Sequence, residues 1–212
     1  MTDKHLSARV SSRPDLSDAG ANVGAMIDDD LRHYLRQSRE AVLRALDGVS
    51  DYDARRPVMP SGTNLLGLVK HLTGVEAGYL GECVGRPVPV PIPWNEDDSA
   101  WESGDMWATA EESRDQIVGL YREVGRNSDA VIAELPLDAP AFVEWWPPER
   151  QHTTFGHLLA RMLAETAQHA GHAEIIRETI DGQGGRDRDA IGDARWWQTY
   201  VGKIQAAADT FR

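Results

Sequence analysis

The chain has 212 residues, 41% hydrophobic and 26% charged, which suits one soluble domain with a real core. No run approaches the roughly 18 apolar residues of a membrane span, and the net charge of −12 sets the chain against phosphate backbones and anionic lipid. A single cysteine, Cys83, excludes a disulfide framework and cysteine-rich zinc sites, so any metal would be held by histidine and carboxylate. Met1–Ala25 lacks the central apolar stretch of a secretory peptide, so a cytoplasmic chain is expected, with residues 1–25 as a flexible segment before one domain over 26–212.

The first predicted helix spans about Asp28 to Asp47, carrying Leu31, Tyr34, Leu35, Val42, Ala45 and Leu46 at helical spacing, with Gly48 as its stop. A second runs from Asn64 to about Val84 and ends at Gly85. Its interior glycines, Gly67, Gly74, Gly78 and Gly81, each cost roughly 1 kcal/mol, a loss that close packing has to offset. Between Arg86 and Ser103 the alternating prolines 87, 89, 91 and 93 forbid a helix and favour a long extended crossover. A third helix is expected over Ala110–Leu135, opened by Thr109 with Glu112 in the capping-box register and ended by Pro136. Phe142–Trp146 reads as a short strand or irregular segment. Thr153 or Thr154 then caps a fourth helix reaching Asp181, with Gly182 beyond it, and a short last helix lies near Arg195–Ala208. Four amphipathic helices with a long second connection make an all-α bundle, whose ligand sites are normally built from inward-facing side chains.

The fourth helix carries the most informative stretch. Steps of four and three place Glu165, His169 and His172 on one stripe, continued by Leu158, Met162 and Ile176, so three polar groups are expected to face inward. Buried polar groups are costly unless paired, hydrogen-bonded or bound to metal. His71, among Leu68, Leu72 and Val75 on the second helix, is a partner. With Glu165 and His169 it would complete a two-His, one-carboxylate set with open positions, leaving His172 as alternative ligand, hydrogen-bond partner or proton shuttle. A satisfied polar layer accounts for the same residues without metal. His5, His33 and His152 are expected in solvent, His157 as structural or exposed, and Cys83 in the core. Trp145-Trp146 and Trp196-Trp197 serve either to pack loops and the tail onto the bundle or to wall an aromatic pocket. The Gly182–Gly185 run follows a helix and makes no phosphate loop, and no basic patch suits nucleic acid.

Leu68-Val69-Lys70-His71-Leu72 followed by Glu76, and Glu165-Thr166-Ala167-Gln168-His169-Ala170-Gly171-His172 running on to Asp181-Gly182, resemble the DinB-like superfamily over most of Leu31–Gly182. The resemblance implies an up-down-down-up four-helix bundle with a divalent metal (zinc, nickel or iron) on His71, Glu165 and His169. Many members have histidine where this chain has Glu165; mycothiol-dependent isomerases look like the glutamate version. It further implies a low-molecular-weight thiol such as mycothiol or bacillithiol as cosubstrate, in S-transfer or isomerisation of a small molecule. There a metal would present the thiol as thiolate and His172 would accept its proton. A metal-dependent hydrolase and a non-catalytic ligand-binding or dimerising bundle are the alternatives.

Overall fold

The computed structural model describes residues 16–182 and 188–212. His5, residues 1–15 of the expected flexible segment and residues 183–185 of the glycine run lie outside them. The structure is mostly helical, with two short strands, in keeping with the all-α expectation.

Helix α1 covers Leu16–Arg44 and so begins well before Asp28; Gly48, at φ +72°, follows it as a left-handed stop. A five-residue helix unforeseen in the sequence, α2 (Asp51–Arg55), is capped by Ser50, whose side chain accepts from the Asp53 N–H. Helix α3 is Leu65–Leu80, capped by Asn64 and shorter than expected because Gly81 breaks it before a 3-10 turn at Glu82–Val84. Helix α5 is Arg114–Glu134 and helix α6 is Phe155–Asp181, capped by Thr154 and ended by Gly182 at φ +72°, as expected. Pro140–Phe142 (β1) pairs antiparallel with His152–Thr154 (β2), which leads into α6.

Two local expectations need correction. The crossover is not extended throughout: α4 (Pro93–Glu96) and a 3-10 turn at Ser99–Glu102 occupy its second half, and another 3-10 turn, Gly104–Met106, follows directly. Pro93 sits in the first turn of α4, where a missing N–H costs nothing and a fixed φ helps. The capping box lies one turn later than Thr109/Glu112, at Ser113 and Gln116, which bond each other's backbone reciprocally. Glu112 accepts from the Thr109 N–H at 2.7 Å but is pulled inward by Lys70, which pairs with it at 2.8 Å.

Leu35 and Val42 of α1, Leu65, Leu68 and Leu72 of α3, Ile117 and Tyr121 of α5, and Phe155, Leu158 and Met162 of α6 form one buried cluster. A charged network crosses it. Arg39 of α1 donates through Nε and Nη2 to both oxygens of Glu76 on α3, at 3.0 and 2.6 Å, and through Nη1 to Asp129 on α5 at 2.7 Å. Burial opposes the Arg39 charge, yet Glu76 and Asp129 outweigh it and hold the guanidinium more firmly protonated than usual.

The last helices are α7 (Arg188–Ile191) and α8 (Ala194–Asp209). Helix α8 buries no residue; Trp197 on it is half-buried, and Trp196 stacks on Tyr200 of the same helix with centroids 5.0 Å apart. One turn of separation favours that local ring pair.

The glycines of α3 have a clear use. Gly67, Gly74 and Gly78 share a face with His71, and the crossover and the segment before β2 press against it. A Cβ on Gly67 would overlap the Met106 carbonyl oxygen, and one on Gly74 would lie 2.6 Å from Asn95 Oδ1 and 2.7 Å from Trp94 Nε1. Gly67→Ala is therefore expected to lower unfolding free energy by about 1–3 kcal/mol despite alanine's better helix propensity. A urea melt showing equal or higher stability would contradict this close approach.

Candidate metal centre

His71 occupies the middle of the glycine face of α3, so the crossover backbone reaches it. Its Nδ1 lies 2.6 Å from Asp105 Oδ2, and its Nε2 lies 3.5 Å from Glu165 Oε1. Asp105 is held in place by Lys70, whose ammonium donates to the Gly104 and Trp107 carbonyls at 2.8 and 3.1 Å, on either side of Asp105. On α6, His169 Nε2 is 3.1 Å from the same Glu165 oxygen. The His71 and His169 rings meet edge-on with centroids 5.0 Å apart. One donor atom from each of His71, Glu165 and His169 thus lies within 4.8 Å of the others, all three half-buried.

His172 departs from the inward stripe. It is exposed, with Nδ1 3.4 Å from His169 Nδ1, while Thr166, Ala170 and Ala173 turn into the core. The buried stripe of α6 runs about one residue away from Glu165, His169 and His172, which puts those three at its edge. His33 is exposed and bonds Gln37; His152 is exposed on β2 and His157 packs edge-on against Trp146.

The two inner histidines are unlike electrically. Burial pulls the His71 imidazolium down, but the hydrogen bond and charge of Asp105, seconded by Glu165, leave its pKa raised. Burial and the neighbouring His71 and His172 lower that of His169 against the pull of Glu165. A neutral His71 that donates Nδ1–H to Asp105 has its Nε2 lone pair turned toward Glu165. This carboxylate–histidine arrangement fixes the tautomer a metal ligand needs. Asp105 had no signal in the sequence, since it sits in a loop without periodicity. Asp105→Ala is expected to weaken divalent-metal affinity about 10–100-fold in a competition titration with a chromophoric chelator; unchanged affinity would deny it this orienting role.

Beside His71 opens a cavity of about 400 Å³ whose wall includes Tyr79, Trp101, Trp145, Glu82 and Glu144. The crossover and the Trp145 segment thus both shape it, the aromatic-pocket alternative read for one of the two tryptophan pairs. Trp146 packs behind, donating Nε1–H to the Tyr79 hydroxyl at 3.2 Å.

Cys83 is 7% exposed, and burial together with Glu82 pushes its thiol up to about 12. Burial and a raised pKa both disfavour the thiolate, which is the nucleophilic form. Native protein should react with an aromatic disulfide reagent at least about 100-fold more slowly than unfolded protein; rapid native labelling would contradict this.

The arrangement offers a mixed nitrogen and oxygen donor set, oriented by a buried carboxylate and opening to a cavity. No curated protein matches the chain. A family model described as Mycothiol-S-transferase matches residues 30–182, a span that contains the three donors, Asp105 and the cavity wall.

Proposed function

We propose that this chain, which belongs to the mycothiol-S-transferase family of the DinB-like superfamily, is a metal-dependent enzyme that transfers a mycothiol-type thiol to a small electrophile. The observation that carries the reading is the meeting of His71, Glu165 and His169 donors from two helices within 4.8 Å. The donor set suits zinc, nickel or ferrous iron, and three protein ligands leave positions for substrate. A divalent cation there would supply Lewis acidity that keeps a thiol ionised at neutral pH.

The chain's own residues do the rest. Asp105 holds His71 through Nδ1, and Lys70 holds Asp105 through the backbone on both sides. His172 is exposed with its Nδ1 3.4 Å from Nδ1 of His169, where it can steady that ring or accept the thiol's proton, the role read for it from the sequence. In the reaction the thiol gives its proton to His172 or to solvent water, the sulfur lone pair forms a bond to an electrophilic carbon, and the bond from that carbon to its leaving group breaks, the group departing with the bonding pair.

The same reading takes residues 26–212 as one domain, its long helices as an up-down-down-up bundle, and the protein as a cytoplasmic homodimer. Size-exclusion with light scattering tests the last point.

The experiment is a thiol-transfer assay on protein of measured metal content. Turnover that needs both thiol and metal, and is lost in His71→Ala, supports the reading. Ester or amide turnover without thiol would favour a hydrolase, and absence of stoichiometric metal would favour a non-catalytic bundle.

A further inference from the structure

We infer that the cavity beside His71 receives an organic cation, an ammonium or quaternary ammonium head, and that the second substrate belongs to this class. The substrate role rests on the thiol-transfer reading; the binding does not.

Three rings gather at this cavity. Tyr79 and Trp145 lie with centroids 5.5 Å apart at 56°, and Trp101 meets Trp145 edge-on at 6.5 Å. Trp101 is 71% exposed and Trp145 41%, although an indole gains more from burial than almost any other side chain. Trp145 packs on Gly78 of α3 and on Tyr79, yet it and Trp101 keep indole surface open at the cavity mouth that a ligand would cover.

Charge selects the ligand. Glu82 and Glu144 line the same cavity, and neither forms an ion pair among the described residues. Asp105 lines the cavity too, but it is paired with His71, so the charge left unpaired there is that of the exposed Glu82 and Glu144 carboxylates, which with the open indoles of Trp101 and Trp145 attract positive charge and repel an anion. The cluster already holds a cation of its own from outside the cavity: the Arg161 guanidinium lies 5.0 Å from the Tyr79 ring centroid and 5.7 Å from that of Trp146. A volume of about 400 Å³ takes a head group with a small attached body, within the usual range of ligand pockets.

The test is calorimetric titration of the purified full chain with benzyltrimethylammonium, benzyl alcohol and benzoate, before and after chelator treatment. The cation is expected to bind about tenfold more tightly than the alcohol, with benzoate weakest. The Glu82→Gln, Glu144→Gln pair should remove most of that preference while leaving alcohol binding unchanged, and Trp101→Ala should weaken the cation. Benzoate or benzyl alcohol matching the cation would overturn the inference, as would unchanged cation binding in the carboxamide pair. Cation selectivity in a protein that shows no metal-dependent thiol transfer would sustain the site and remove only its assignment to a second substrate. Thiol transfer without cation selectivity would remove the inference and leave the enzyme.

Discussion

His169→Ala is expected to reduce bound divalent metal from about one per chain to near zero and to lower thiol transfer about 100-fold or more. Two donors remain in that variant, His71 Nε2 and the Glu165 carboxylate, 3.5 Å apart. A two-ligand site loses most of its affinity, because each further donor adds to a chelate whose other arms are already fixed. The loss is separable from misfolding. His169 is only half-buried at the edge of the α6 stripe, and an added metal stabilises a protein only where it binds the folded state. At a thousandfold excess over the dissociation constant, the wild type should gain about 4 kcal/mol, read as a higher melting temperature, and the variant almost none. Equal metal content and equal thermal response in both proteins would leave Glu165, His169 and His71 as a polar layer. Glu165→Gln keeps an oxygen donor without its charge and should fall between the two.

Glu76→Ala is expected to cost about 3–5 kcal/mol of stability, enough to leave many domains of this size partly unfolded. The Glu76 side chain is 0% exposed and that of Arg39 9%, so the substitution strands a guanidinium in the core with only Asp129 to face it. Asp129, at 39% exposure, can be replaced more cheaply, since water reaches its side of the network. Arg39→Met combined with Glu76→Leu should recover most of the loss, because two apolar side chains remove both the desolvation cost and the attraction that offsets it. Urea denaturation of the three variants checks the order. A Glu76→Ala protein within about 1 kcal/mol of wild type would contradict the view that this buried pair ties α1 to α3.

Much of this was legible along the chain. The α6 boundaries follow from Thr154 and Gly182, whose capping roles are local, and His71, Glu165 and His169 stand out because polar groups on an otherwise apolar helix face need a partner. Where the reading slipped, competing interactions decided. Thr109 and Glu112 have the spacing of a capping box and Glu112 does accept from the Thr109 N–H, but Lys70, distant in sequence, shares the carboxylate, and the reciprocal box that opens α5 is Ser113 and Gln116. The prolines of the crossover exclude a helix interior but not a first turn, so Pro93 opens α4. His172 shares helical phase with Glu165 and His169, yet phase alone does not fix where the buried stripe is centred. That depends on which neighbours α6 meets.

The sequence by itself determined the helical class, the caps of α6, the acidic charge and the candidate ligands, because these rest on periodicity, local hydrogen bonding and composition. Only the tertiary structure decided that Asp105 stands behind His71, that Lys70 holds it there, that Arg39 finds Glu76, and that Trp101 and Trp145 open onto a cavity with Glu82 and Glu144. Each of these joins residues far apart in the chain. The glycine face of α3 shows why such pairings escape a linear reading. It registers along the sequence as a cost in helix propensity, and its return comes only when another segment's backbone packs into the space the missing side chains leave.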